Sequence, residues 1–166
     1  MKRLIPLFGI IMITLSAWSQ SPIDKALKRY NTGIIPYVNT DTAFQWHQKD
    51  SVLFLDTRAL KEYEVSHIQG ARFVGYDEFD AQKINALNIA QSTPIVVYCS
   101  IGVRSEQIGV KLKQLGYNNI FNLYGGIFQW YNQSHPVVDS QNKPTLALHG
   151  YDKNWARYVE KGNPTF

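Results

Sequence analysis

The run Pro94-Ile95-Val96-Val97-Tyr98 constrains this chain more than any other segment. It is short, continuous, uncharged and rich in β-branched residues. That is the pattern of a central parallel strand covered on both faces, not of a strand with one wet side. Such a strand needs parallel neighbours and helical crossovers, and the flanking sequence supplies both. Val52-Leu53-Phe54-Leu55 is a second short apolar run, ending at Asp56, and residues 71–74 and 120–123 are further strand candidates. Helices are expected from Thr40 or Asp41, as caps, through Lys49, over 59–64, and over 78–90 with Phe79, Ile84, Leu87 and Ile89 on one face. Two more are expected, over 105–115 ahead of Gly116, and just after Gly125-Gly126. Strands alternating with helices predict an α/β fold with a mostly parallel central sheet flanked by helices.

Around that unit, residues 37–138, the chain divides into three other segments. Met1-Lys2-Arg3 is followed by an uncharged apolar run over 4–17, and Ala17-Trp18-Ser19 offers small residues for cleavage after Ser19. This is the layout of a secretory signal peptide over residues 1–19. The run is shorter than the roughly 20 residues a spanning helix takes, with a retained anchor as the alternative reading. The expectation is export to a periplasm or cell envelope, with no stable membrane span after cleavage. Residues 20–36 read as a polar lead-in with Pro22, Gly33 and Pro36. In the tail, 139–166, a linker-like stretch over 139–144 precedes a short helix, 155–160, whose Trp155 and Tyr158 are expected to pack back onto the domain.

Charge excludes one class of partner. Of the 17 Lys and Arg residues, Lys2 and Arg3 lie in the expected leader, so the remainder exceeds the 13 acids by only two. No Lys/Arg run makes an electrostatic footprint, so no nucleic-acid partner is expected. The four histidines, at 47, 67, 135 and 149, lack metal-ligand spacing, and no metal is expected.

The chain has one cysteine, Cys99, so no intramolecular disulfide can form. A free Cys is often just a small buried residue. Here the buried strand delivers it into a short loop, Ser100-Ile101-Gly102-Val103-Arg104, and a helix follows at once. A helix start offers free N–H groups and the positive end of the dipole. Loop amides can form an anion-binding nest, and Arg104 adds a permanent positive charge. These features favour thiolate over thiol and make Cys99 the candidate nucleophile. The same donors can hold an anionic substrate beside the sulfur.

This loop resembles the active-site loop of rhodanese-like sulfurtransferases. Asp56-Thr57-Arg58, Glu62-Tyr63, Ser66-His67-Ile68-Gln69-Gly70-Ala71, Leu115-Gly116-Tyr117 and Leu123-Tyr124-Gly125-Gly126 with Trp130 resemble further signatures of that family, in the family's order. Two departures are Ser66 in place of Gly, and Arg72-Phe73 in place of a small residue and Asn. The resemblance implies the rhodanese-like three-layer fold and a two-step transfer. Cys99 takes the outer sulfur of thiosulfate or a persulfide donor, and cyanide or a thiol removes it. It also implies that the backbone of Ser100, Ile101, Gly102, Val103 and Arg104 cradles the persulfide, that Arg104 positions the donor, and that no metal or organic cofactor takes part. A protein sulfur acceptor is a further candidate partner.

Asp56 and Arg58 are expected to support the turn as an ion pair, and His67 to act as a structural hydrogen-bonding residue. The sharpest enzymatic rival is a phosphatase, whose loop has five residues between Cys and Arg; here four intervene between Cys99 and Arg104. A non-enzymatic sulfur carrier or protein-binding module is the other alternative. Thiol–disulfide exchange would call for a resolving cysteine that this sequence does not contain.

Overall fold

The computed structural model describes residues 21–166; the expected leader lies outside them. Five parallel strands form the sheet: β1 (Tyr37–Val38), β2 (Leu53–Asp56), β3 (Arg72–Phe73), β4 (Ile95–Tyr98) and β5 (Ile120–Leu123), in the order β1-β5-β4-β2-β3. β4 is central, and all four of its residues are fully buried. Its side chains alternate between two cores, as a period of two requires. Val96 and Tyr98 join Phe54 and Leu123 on one face, against residues of α1 (Pro22–Tyr30), α2 (Thr40–Gln48) and α6 (Gly126–Asn132). Ile95 and Val97 join Leu55 and Ile120 on the other, against α4 (Ala81–Ala86) and α5 (Val103–Gln114). The expected parallel sheet flanked by helices is therefore present.

Several boundaries differ from the sequence reading, each for a local reason. Residues 20–36 are not a plain lead-in, because α1 occupies most of them. Ser21 Oγ accepts the Asp24 N–H while the Asp24 carboxylate accepts the Ser21 N–H, a complete capping box with Pro22 at the first turn. Asn39, rather than Thr40 or Asp41, caps α2, through a bond from the Thr42 N–H at 2.8 Å. The helix expected over 78–90 shortens to α4; Asp80 caps it, and the chain turns at Asn88 with positive φ. α5 begins at Val103, two residues earlier than expected, because Gly102 takes the left-handed conformation that starts it.

The stretch 139–144 is the turn of a hairpin, residues 139–143, and the start of its second strand, not a linker. β6 (Val137–Val138) pairs with β7 (Pro144–Thr145), and the Asp139 carboxylate accepts the Gln141 and Lys143 N–H groups across the turn. The tail helix is α7 (Lys153–Ala156), shorter and earlier than expected. The tail does pack on the domain: Leu148 and Tyr158 are buried in the same core as Trp130, with Trp155 against it. Asn132 Nδ2 donates to the Tyr158 carbonyl at 2.9 Å, and the Glu160 N–H returns a bond to Asn132 Oδ1.

Candidate active site

The sheet places the site. From β2 the chain crosses by α3 (Leu60–Val65) to β3 at one edge, and from β4 by α5 to β5 on the other side. The connections leaving β2 and β4 therefore diverge, and a crevice opens beyond the carboxyl ends of an α/β sheet where strand order reverses. Thr57 ties the two ends together, its N–H and hydroxyl both donating to the Tyr98 carbonyl at 2.9 and 3.0 Å. Cys99 is the next residue.

The sulfur sits in a cradle of donors. The Gly102 N–H donates to Cys99 Sγ at 3.2 Å, and the Ser105 hydroxyl lies 3.6 Å from it. Gly102 has φ +110, which a side chain would resist. Behind the loop, Asn122 of β5 donates to the Gly102 carbonyl and accepts from Ser105 Oγ, both at 2.8 Å. From below, the Ile127 and Phe128 N–H groups at the start of α6 bond the Cys99 and Ser100 carbonyls at 2.9 and 3.1 Å. That approach is so close that a Cβ on Gly126 would overlap both carbonyl oxygens.

Two forces compete over the Cys99 proton. Burial pushes the thiol up; the Arg104 charge, the Ser105 N–H and hydroxyl and the Gly102 N–H bring it below its ordinary value. The donors win, and the thiol is the more readily ionised for them.

Arg104 has a partner of its own. Its Nη1 and Nη2 donate to the two carboxylate oxygens of Glu62 at 2.8 and 2.9 Å, and Nη2 also donates to Ser100 Oγ at 3.0 Å. The Glu62 side chain is fully buried, whereas the guanidinium is 19% exposed. Ser100 Oγ and the Ala59 N–H complete the shell of the carboxylate. Burial raises the Glu62 carboxyl, but Arg104, Arg58 and Ala59 outweigh it and hold the group below its usual value.

Of the residues singled out from sequence, Cys99, Ser100, Ile101, Val103 and Arg104 line one cavity of about 260 Å³, and Gly102 caps the helix beside it. Asp56 and Arg58 form a fully buried pair outside it, N–O 2.7 Å, with Arg58 Nη2 donating to the Ser66 carbonyl. His67 stacks on Tyr63 at 3.8 Å and donates from Nδ1 to the Tyr63 carbonyl. The sequence reading gave no place at the site to Glu62, which it noted only within a family signature, to Asn122, or to three aromatic walls of the cavity, Tyr30, Tyr151 and Trp155, the last of which it expected only to pack the tail onto the domain. Asn122 carried a usable signal, being a polar residue at an inward position of an otherwise apolar strand.

Residues 40–133 match the family model described as Rhodanese-like domain. A tRNA uridine(34) hydroxylase of Yersinia enterocolitica is 33% identical over 97 residues, covering 57% of this chain and 28% of that protein. The chain spans between 23% and 36% of the first curated relatives it matches. Among solved structures, a Bacillus halodurans protein shares the fold at TM-score 0.57 and 18% identity, over 70% of this chain and 86% of the other. A Rhodopseudomonas palustris protein described as of unknown function and a possible tyrosine phosphatase shares it at TM-score 0.56 and 24% identity, over 72% of this chain and 96% of the other.

Proposed function

Because the chain belongs to the rhodanese-like domain family, we propose that it is a sulfurtransferase working through a persulfide on Cys99. The observation that carries this reading is the donor cradle: an N–H and a hydroxyl aimed at a sulfur of lowered pKa on the floor of a cavity. The thiolate attacks the outer sulfur of a sulfane donor. The donor's S–S bond breaks, its remaining fragment leaves with the electron pair, and a new S–S bond forms on Cys99. The loop amides then stabilise the terminal sulfur anion, and an acceptor thiolate or cyanide removes it. No net oxidation occurs in either half.

In this reading Arg104 acts first on the loop. It lowers the Cys99 pKa and, through Glu62, ties α5 to α3. A phosphatase reading is disfavoured because the Cys99-to-Arg104 loop has one residue too few to surround a tetrahedral phosphate. Export of the protein is part of the proposal and rests on residues 1–19 alone; cell fractionation and the N-terminal mass of the recovered chain test it.

The test of function is the intact mass of the protein after treatment with thiosulfate or benzenethiosulfonate, alongside Cys99→Ser. The expected result is one added sulfur on the wild type only, removed by cyanide with thiocyanate formed. A reduced Cys99 that gains no sulfur from either donor overturns the reading and favours a binding module.

A further inference from the structure

The walls over Cys99 come from outside the family match. Tyr30 closes α1, before residue 40, and Tyr151 and Trp155 belong to the tail, after residue 133. Together with Ile101 and Val103 they give the cavity a mainly apolar mouth. Tyr30 and Trp155 lean on one another with ring centroids 6.1 Å apart, and the Arg104 guanidinium lies 4.7 Å above the Tyr151 ring. Arg104, the one cation lining the cavity among the described residues, is thus covered by an aromatic face and neutralised by Glu62. A small, strongly hydrated dianion would lose its water here without an unpaired charge to replace it.

A second hollow, of about 440 Å³, adjoins the first and shares Tyr30 and Trp155 as walls. Its character is opposite. Lys25, Arg29 and Arg157 line it, and none has an acidic partner within salt-bridge distance among the described residues. The nearby carboxylates are otherwise engaged: Asp24 accepts from Tyr124 Oη and the Ser21 N–H, and Asp152 caps α7. Glu160 lies in a further hollow beyond Arg157.

Resting on the sulfurtransferase reading, we propose that these flanking segments select an organic sulfane-sulfur compound over thiosulfate. The donor class has an apolar body next to its sulfur, seated among Tyr30, Tyr151 and Trp155. An acidic group farther out reaches Lys25, Arg29 and Arg157. The chemistry is that of R–S–SH or R–SO2–S−. The Cys99 thiolate takes the outer sulfur, and R–S− or R–SO2− departs with the bonding pair toward the basic hollow.

The experiment loads the full chain with thiosulfate, benzenethiosulfonate or 4-carboxybenzenethiosulfonate. Each second-order rate is divided by that donor's rate with free cyanide, to remove intrinsic reactivity. The expected order is carboxylated aryl donor, then plain aryl donor, then thiosulfate, with roughly tenfold between the first and the last from aromatic contact and charge together. Trp155→Ala shrinks the aryl-over-thiosulfate ratio. The double variant Arg29→Glu with Arg157→Glu, both at exposed positions, erases the advantage of the carboxylate and of low salt. Normalised rates that favour thiosulfate, or ratios unmoved in the charge-reversed protein, overturn the inference and leave sulfur transfer standing. Loading from no donor overturns both.

Discussion

Arg104 and Glu62 face each other across the Cys99 loop, with each terminal guanidinium nitrogen donating to one carboxylate oxygen and the carboxylate wholly buried. The pair joins α5, which starts the anion cradle, to α3, which follows β2. It therefore couples the stability of the fold to the position of the charge that tunes the nucleophile.

Glu62→Gln keeps the shape and removes the charge. It leaves a largely buried guanidinium without its counter-ion, which costs about 3 kcal/mol when one member of such a pair is deleted. Urea unfolding at neutral pH is expected to show that loss with an unchanged m-value.

The same pair gives the protein an acid-side dependence. The folded Glu62 pKa lies below the unfolded one, so its contribution is complete above the unfolded value of about 4.3. It is lost as pH falls through the depressed folded value. The urea midpoint of the wild type should decline as pH drops below about 5. In Glu62→Gln that decline should be shallower.

Cys99 alkylation by iodoacetamide reports its thiolate. The midpoint of rate against pH is expected below the roughly 8.5 of a free cysteine. Arg104→Met and Ser105→Ala should both move it up, the arginine change more, since that charge is the larger of the two lowering causes. A midpoint above that of free cysteine would show that burial wins and that the cradle is not an activating one.

Gly126→Ala introduces a methyl group where the Cys99 and Ser100 carbonyls approach, at a residue with φ +56. Strain and overlap together should cost at least about 2 kcal/mol. Both the melting temperature and the rate of sulfur loading should fall, because the displaced atoms belong to the nucleophile's own loop.

Truncation after Asp139 exposes the surface that Leu148 and Tyr158 cover, two side chains worth about 1.5–3 kcal/mol each when buried. The melting temperature of the truncated chain is expected to drop by roughly 10 °C. An unchanged value would mean that the tail contributes nothing to the domain.

What the sequence determined by itself is local and periodic. The β-branched run over 94–98, the loop after it and the glycines at 102, 125 and 126 dictate a buried parallel strand delivering one cysteine to a helix start. These choices depend on backbone conformation and the period of apolar residues, which neighbours in the chain encode. The capping box at Ser21 and Asp24 was equally local and legible, though Pro22, Gly33 and Pro36 read as a lead-in. Tertiary structure alone decided the rest. Glu62 and Arg104 are 42 positions apart, and nothing in either segment announces that they meet. Tyr30, Tyr151 and Trp155 come together over Cys99 because α1 and the tail pack on the same face of the sheet. A sequence states which side chains want burial or a partner. Only the folded sheet, by bringing distant strand ends together, decides which of them satisfy one another at the sulfur.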